Sequence, residues 1–277
     1  MPDLDDLSRL DIDFPHPARV YDVLLGGKDN FAADRAAADA ERAAFPGIIQ
    51  CARANRAFLA RTVRYLAAAA GIRGFLDIGT GLPSASNTHE VAQSVARHSS
   101  VVYVDNDPLV LAHARALLTC EGPGKTGFIA ADLRDPGKIL LEAARLLDFS
   151  EPVAVLLIGV MHFIPDEDGP YEIVATLLDA VAPGSYLAMS HQASDLYPDE
   201  AAGFARVWNE RARTTERLAL RGRSEFARFF DGLDLVAPGV VQICKWRPRT
   251  ELEADAIAAM WGAVARKPLR RGPRTRA

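Results

Sequence analysis

Two carboxylates flanking a Gly-x-Gly turn form a constellation that can hold a nucleotide. They lie in Phe75-Leu-Asp-Ile-Gly-Thr-Gly-Leu-Pro-Ser84 and in Val101-Val-Tyr-Val-Asp-Asn-Asp-Pro108. Gly79 and Gly81 let the backbone turn tightly and approach a ligand closely. Asp105 would reach a ribose, because a carboxylate accepts from both vicinal hydroxyls. The chemistry dictates the scaffold. The first segment reads as a buried strand, a glycine turn and a helix start. The second reads as the next strand, ending in an acid. Both belong at the carboxyl edge of a parallel sheet.

The rest of the chain supplies such a sheet. Strands are expected at 75–78, 101–105, 127–131, 153–159 and 186–190, with amphipathic stretches near 84–98, 108–120, 136–148 and 168–182 between them. That alternation predicts an α/β fold with a mostly parallel, doubly wound sheet. The last third changes character. A long charged helix is expected over 199–220 and a short one over 224–231, then strands at 235–236, 240–243 and 261–266. Pro238-Gly239 interrupts them as a turn or bulge. This predicts an antiparallel C-terminal edge.

Residues 1–70 read as an N-terminal helical appendage, with Ala- and Arg-rich helices over 35–45 and 50–70 broken by Pro46-Gly47. Residues 71–266 form the sheet domain, and 267–277 a basic tail, read as solvated.

Composition narrows the function classes. The chain has 277 residues, 49% of them hydrophobic, enough for a sizeable core. A net charge of -4 argues against nucleic acid as the main partner. The longest apolar run, 153–164, contains His162 and is too short to span a bilayer. The acidic N-terminus lacks the features of a signal peptide, and Cys51, Cys120 and Cys244 are odd in number and far apart. A reducing cytoplasm and no metal site are therefore expected.

A dinucleotide site wants Gly-x-Gly-x-x-Gly, and the third position here is Ser84. That counts against NAD without excluding it. Asp77-x-Gly79-x-Gly81, then Asp105, then Asp132 after Phe128-Ile-Ala-Ala, resembles the class I S-adenosylmethionine-dependent methyltransferases of Rossmann-like fold. The resemblance narrows further. Arg19-Val-Tyr-Asp-Val-Leu-Leu-Gly-Gly-Lys-Asp-Asn-Phe31, Asn55-Arg56-x-Phe58-Leu, Asp77-Ile-Gly-Thr-Gly-Leu-Pro, Pro238-Gly-Val and Trp246-Arg-Pro are similar to an actinobacterial S-adenosyl methyltransferase family of unassigned substrate (DUF574-like). It runs over roughly 15–266.

The resemblance implies S-adenosyl-L-methionine as cofactor, and it implies roles. Gly79 and Gly81 would line the methionine and ribose, and Asp77 would orient that loop or the ammonium. Asp105 would hold the ribose, with Asn106 beside the adenine. Asp132 would accept from the adenine amino group, with Leu133 packing nearby. Gly159, Val160 and Met161 would border the methionine and the substrate. Many members carry a glycine where Pro83 stands, so the loop is expected to be stiffer, and Ser84 can cap the next helix.

Other positions carry two readings each. Asp77 could brace the turn, and Asp105 and Asp132 could cap helices. Gly26-Gly27-Lys28 lacks phosphate-loop spacing and reads either as a helix end with a glycine stop or as a lid. In a lid, Tyr21, Gly26, Asn30 and Phe31 would close on the ligand, and Arg19 or Lys28 would meet the methionine carboxylate. His162 is a general-base candidate and His191 a second, though a lone histidine is more often structural. Asp195 and Tyr197 are candidates for the acceptor pocket. The expected activity is methyl transfer to a small-molecule oxygen or nitrogen acceptor. A non-catalytic cofactor sensor and a nicotinamide oxidoreductase remain as alternatives.

Overall fold

The computed structural model describes residues 11–83, 86–117, 123–213 and 216–269. Ser84, Cys120 and most of the basic tail lie outside them. Five parallel strands carry the sheet: β1 (Gly74–Ile78), β2 (Ser100–Asp105), β3 (Thr126–Ala130), β4 (Val153–Ile158) and β5 (Tyr186–Gln192). Their order is β3-β2-β1-β4-β5. The chain steps outward from β1 to β3 and then crosses back to place β4 beside β1. A reversal of this kind opens a crevice at the carboxyl ends of the strands.

The other edge is antiparallel. β8 (Met260–Arg266) runs against β5 from Tyr186↔Arg266 to Gln192↔Met260. Two short strands, β6 (Asp234–Leu235) and β7 (Val241–Gln242), pair with β8 on its far side. Pro238-Gly239 makes a turn between them, with the Gly239 N–H donating to Val236 O.

The central strands are buried on both faces, which is why β4 reads as an unbroken apolar run. Alternate residues enter opposite cores, Phe75 on one side and Leu76 and Ile78 on the other. Three helices precede the sheet: α1 (Pro17–Leu25), α2 (Ala32–Ala44) and α3 (Ile48–Ala68). α3 packs on one face, where Phe58 and Leu66 share a core with Phe75, Tyr103, Leu156 and Val264. Arg61 of α3 ties that face to the C-terminal segment, donating to Trp246 O (2.9 Å) and Ile243 O (2.8 Å). Between the strands lie α4 (Thr88–Val95), α5 (Pro108–Leu117), α6 (Pro136–Ala143) and α7 (Pro170–Asp179). Then come α8 (Pro198–Asn209), α9 (Arg223–Ala227) and α10 (Glu251–Ala254).

Several expected helices are shorter. The 199–220 helix stops at Asn209, because its last side chains capture a returning segment. Trp208 Nε1 donates to Glu216 O (2.6 Å), and the Asn209 side chain bonds both backbone groups of Leu218. The helix expected from 84 starts at Thr88, after Asn87, whose N–H is held by Glu90 (2.9 Å). That acidic return bond is one half of a capping box. The stretch 136–148 is helical only to Ala143 and continues in tight turns.

Candidate active site

The carboxyl ends of β1 to β5 open into a cavity of about 180 Å³, roofed by α1, α2, α3 and α8. At its polar end the β1 turn sits against β2. Asp105 is buried, accepting from Gly81 N–H at Oδ2 (2.9 Å) and from Asp107 N–H at Oδ1 (3.0 Å). The carboxylate thus fixes the glycine loop while each oxygen keeps a second acceptor site. Gly79 has φ 70°, and a Cβ there would collide with the side chain of Val160. Only glycine fits where the two strand-end loops meet.

Asp77 accepts from Thr88 Oγ1 (2.6 Å). Burial pushes its pKa up to about 6, with repulsion from Asp105 adding to the shift and Thr88 and Arg56 opposing it. Burial also raises the Asp105 pKa, against the pull of His16 and the two amide donors. Further along the edge, Asn106 donates to Asp132 (3.3 Å), and Asp132 is gripped by Arg134, which also donates to Asp168 and to Phe163 O. Asn106, Asp132 and Leu133 all line the cavity.

The N-terminal segment closes this end. His16 Nδ1 lies 3.0 Å from Asp107 Oδ2 and 3.3 Å from Ala18 N, facing an acceptor and a donor at once. The shorter carboxylate contact favours a proton on Nδ1. Burial would lower its pKa, but Asp107 and Glu216 raise it above the ordinary value.

Toward β4 and β5 the lining changes. Gly159, Tyr21 and His162 face the cavity, with Asn55 between them. The Tyr21 hydroxyl donates to Ala52 O (2.9 Å) and accepts from Asn55 Nδ2 (3.3 Å), while Asn55 Oδ1 accepts from Ser190 Oγ (2.6 Å). The far end is walled by Leu24, Ile48, Phe163, Phe204 and Trp208, with Glu41 among them, while a second carboxyl, Glu216, lines the cavity beside His16.

The two histidines separate. His191 is fully buried and outside the lining. Its Nε2 accepts from Arg221 (2.9 Å), since a guanidinium only donates, so Nδ1 carries the proton and donates to Gln192 O (2.8 Å). Burial and Arg221 push its pKa down to about 3. It is a structural partner of Arg221, which corrects its candidacy as a base. His162 does line the cavity, and burial, with His191 and Arg221 nearby, holds its pKa well below the ordinary value.

Other candidates also lie away from the lining. Arg19 is buried against Asp34 (3.3 Å) and donates to the carbonyls of Asp11 and Phe14, so it braces the N-terminal segment. Gly26 is the left-handed stop of α1 (φ 84°). Asn30 donates to Asp22 and accepts from Arg35, closing the loop after α1. Met161 is buried beneath β4, its carbonyl 3.4 Å from Arg221. Lys28 is exposed, Asp195 accepts from Trp261 Nε1 (2.7 Å), and the Tyr197 ring packs on Phe45. Conversely, the lining includes His16, Glu41, Asn55, Arg56 and Gln192, none of which was a site candidate from sequence. Arg56 donates to Ser86 O (3.2 Å), and its charge acts on Asp77. Its place in Asn55-Arg56-x-Phe58-Leu was the available signal. Among the described residues no cluster of metal ligands occurs, and no helix is long and apolar enough to cross a membrane.

Comparison with known proteins adds the family. A family model described as S-adenosyl methyltransferase matches residues 4–268. A DUF574 family protein from Streptomyces avermitilis MA-4680 is 46% identical, with TM-score 0.89, covering 94% of this chain and 100% of that one. A protein from Thermobifida fusca YX, named for a proposed methyltransferase activity, is 42% identical, with TM-score 0.85, covering 93% and 97%. An O-methyltransferase family protein from Burkholderia thailandensis shares the fold at 14% identity, with TM-score 0.52, covering 80% and 60%. No protein of curated function matches the chain in sequence.

Proposed function

The chain belongs to the S-adenosyl methyltransferase family, whose cofactor is S-adenosylmethionine, and from that premise we propose that it methylates a small-molecule oxygen or nitrogen acceptor. The observation that carries this reading is the continuity of the cavity. It runs from the Asp105 end of the sheet, past Gly159, into an apolar chamber roofed by helices.

The polar end fits the cofactor. Asp105 has spare acceptor capacity where ribose hydroxyls would sit, and the Gly79 turn is too close to Val160 for any side chain. Asp77 would take the methionine ammonium, and Arg56 rather than Arg19 would meet its carboxylate. Gly79 and Gly81 would line the methionine and ribose. Asn106, Asp132 and Leu133 would border the adenine.

When bound, the sulfonium supplies both the methyl group and its own leaving group. The protein's part is then to place the acceptor in line and keep water out. Gly159, Tyr21 and Asn55 border the place where the acceptor atom would stand. His162 is neutral there, able to orient an acceptor hydroxyl or amine by a hydrogen bond. Its depressed pKa makes it a weak base, so positioning carries more of the catalysis than proton removal.

The test is calorimetric titration of the protein with S-adenosylmethionine, S-adenosylhomocysteine and NAD side by side. Micromolar binding of the first two and none of NAD supports the reading. Binding of NAD alone would overturn it. Methyl loss from labelled cofactor with a small-molecule extract then separates a transferase from a sensor. His162→Ala should leave cofactor affinity within about twofold (under 0.5 kcal/mol) while lowering turnover.

A further inference from the structure

One face of α2 carries two buried carboxylates that live in opposite surroundings. Asp34 is fully buried and accepts from His16 N–H (2.9 Å) and Phe31 N–H (2.8 Å), beside Arg19. Glu41, two turns later, is 3% exposed and lines the cavity, yet its carboxyl accepts no hydrogen bond and forms no ion pair with any described residue. Burial alone pushes its pKa up to about 8. A lone carboxyl in an apolar wall costs folding energy, and α2 would be more stable without it. The same cavity is lined by Leu24, Ile48, Phe204 and Trp208. Aromatic rings beside a carboxylate suit an organic cation, whose charge pairs with the acid and whose body packs on the rings.

We propose that Glu41 is the recognition carboxylate of the acceptor chamber and that the acceptor is a hydrophobic amine. Its ammonium group sits on Glu41, and its apolar body lies against Phe204 and Trp208. The methylated atom lies at the other end of the molecule, toward Gly159. On entry the ammonium displaces the Glu41 proton to solvent. This rests on the chamber being the acceptor site proposed above.

The test uses the full chain and three probes of one shape: phenethylamine, 2-phenylethanol and phenylacetate. Dissociation constants from ligand-observed NMR are measured with and without S-adenosylhomocysteine. The amine should bind at least about tenfold more tightly than the alcohol, and the carboxylate most weakly. Glu41→Gln should level amine and alcohol while S-adenosylhomocysteine still binds. Difference infrared spectra of the unaltered protein supply a second readout, in which phenethylamine should convert a protonated carboxyl band to a carboxylate band. Equal binding of amine and alcohol, no binding of any probe, or a preference that survives Glu41→Gln would overturn the proposal. Failure of S-adenosylhomocysteine to bind, with the amine preference intact, would instead remove the cofactor reading and leave the amine site.

Discussion

Asp105 and Glu41 are carboxylates on the wall of one cavity, both buried, and their partners differ completely. Asp105 takes two backbone N–H groups and sits near His16, so the fold would lose its loop geometry without it. The Glu41 carboxyl takes nothing from any described residue, so the fold would lose nothing. The contrast separates an end whose carboxylate the fold already holds in place from an end whose carboxyl has no partner among the described residues. A preorganised carboxylate lowers the cost of binding. An unsatisfied one raises the free energy of the empty site and recovers it only with a complementary charge.

The largest expected effect sharpens the first half of this contrast. Asp105→Ala should weaken S-adenosylhomocysteine binding by roughly 2–3 kcal/mol, the scale of losing hydrogen bonds to a charged group, as read by calorimetry. Unchanged affinity in a folded variant would take the ribose away from Asp105.

Glu41→Gln should do the reverse and stabilise the free protein, by on the order of 2 kcal/mol at pH 8. The folded-state pKa is raised from 4.5 to about 8, so between those values the unfolded chain has lost a proton that the folded chain keeps. Stability therefore falls with rising pH in that window for the wild type but not for the variant. The gain should fade toward pH 5 in denaturant titrations. A variant less stable than wild type at pH 8 would give Glu41 a structural partner and break the comparison.

A smaller effect tests Asp77, whose pKa in the free protein is raised to about 6. An ammonium bound beside it would favour the charged form, so binding below that pH must release a proton. Affinity for S-adenosylhomocysteine should fall about tenfold (about 1.4 kcal/mol) per pH unit once well below 6. Calorimetry in buffers of different ionisation enthalpy would show the released proton, and its absence would move the ammonium elsewhere.

The smallest concerns the His16 strap. Its folded pKa is raised above 6.5, so its stabilisation is full below that value and lost as pH rises through the folded pKa. His16→Gln should remove about 0.5 kcal/mol of stability at pH 5.5 and little at pH 8.5. An equal loss at both would mean that the ring acts by packing.

The polar end was legible in the sequence because its parts are local. A strand, a glycine turn and an acid at the next strand end declare themselves within a few residues, and the strands follow from apolar runs. The helical end was not. Glu41 lies in an Ala-rich amphipathic stretch where a glutamate reads as solvent-facing, and it is buried because α2 packs on α1 and on α8, the latter from far along the chain. The two histidines looked alike as strand-end residues. Arg221, distant in sequence, separates them by occupying His191. Arg19 was the visible cation of the N-terminal motif, but Asp34 on the next helix draws it away, and Arg56 lines the cavity instead. The 199–220 helix failed for a related reason, because local periodicity cannot report that Trp208 and Asn209 capture the chain beyond them.

The most direct test of the two-ended cavity is a crystal structure of the protein grown with S-adenosylhomocysteine. Ribose hydroxyls are expected on Asp105, adenine beside Asn106 and Leu133, and the chamber around Glu41 left open. A ligand seated against Glu41, or a ribose with no contact to Asp105, would contradict it.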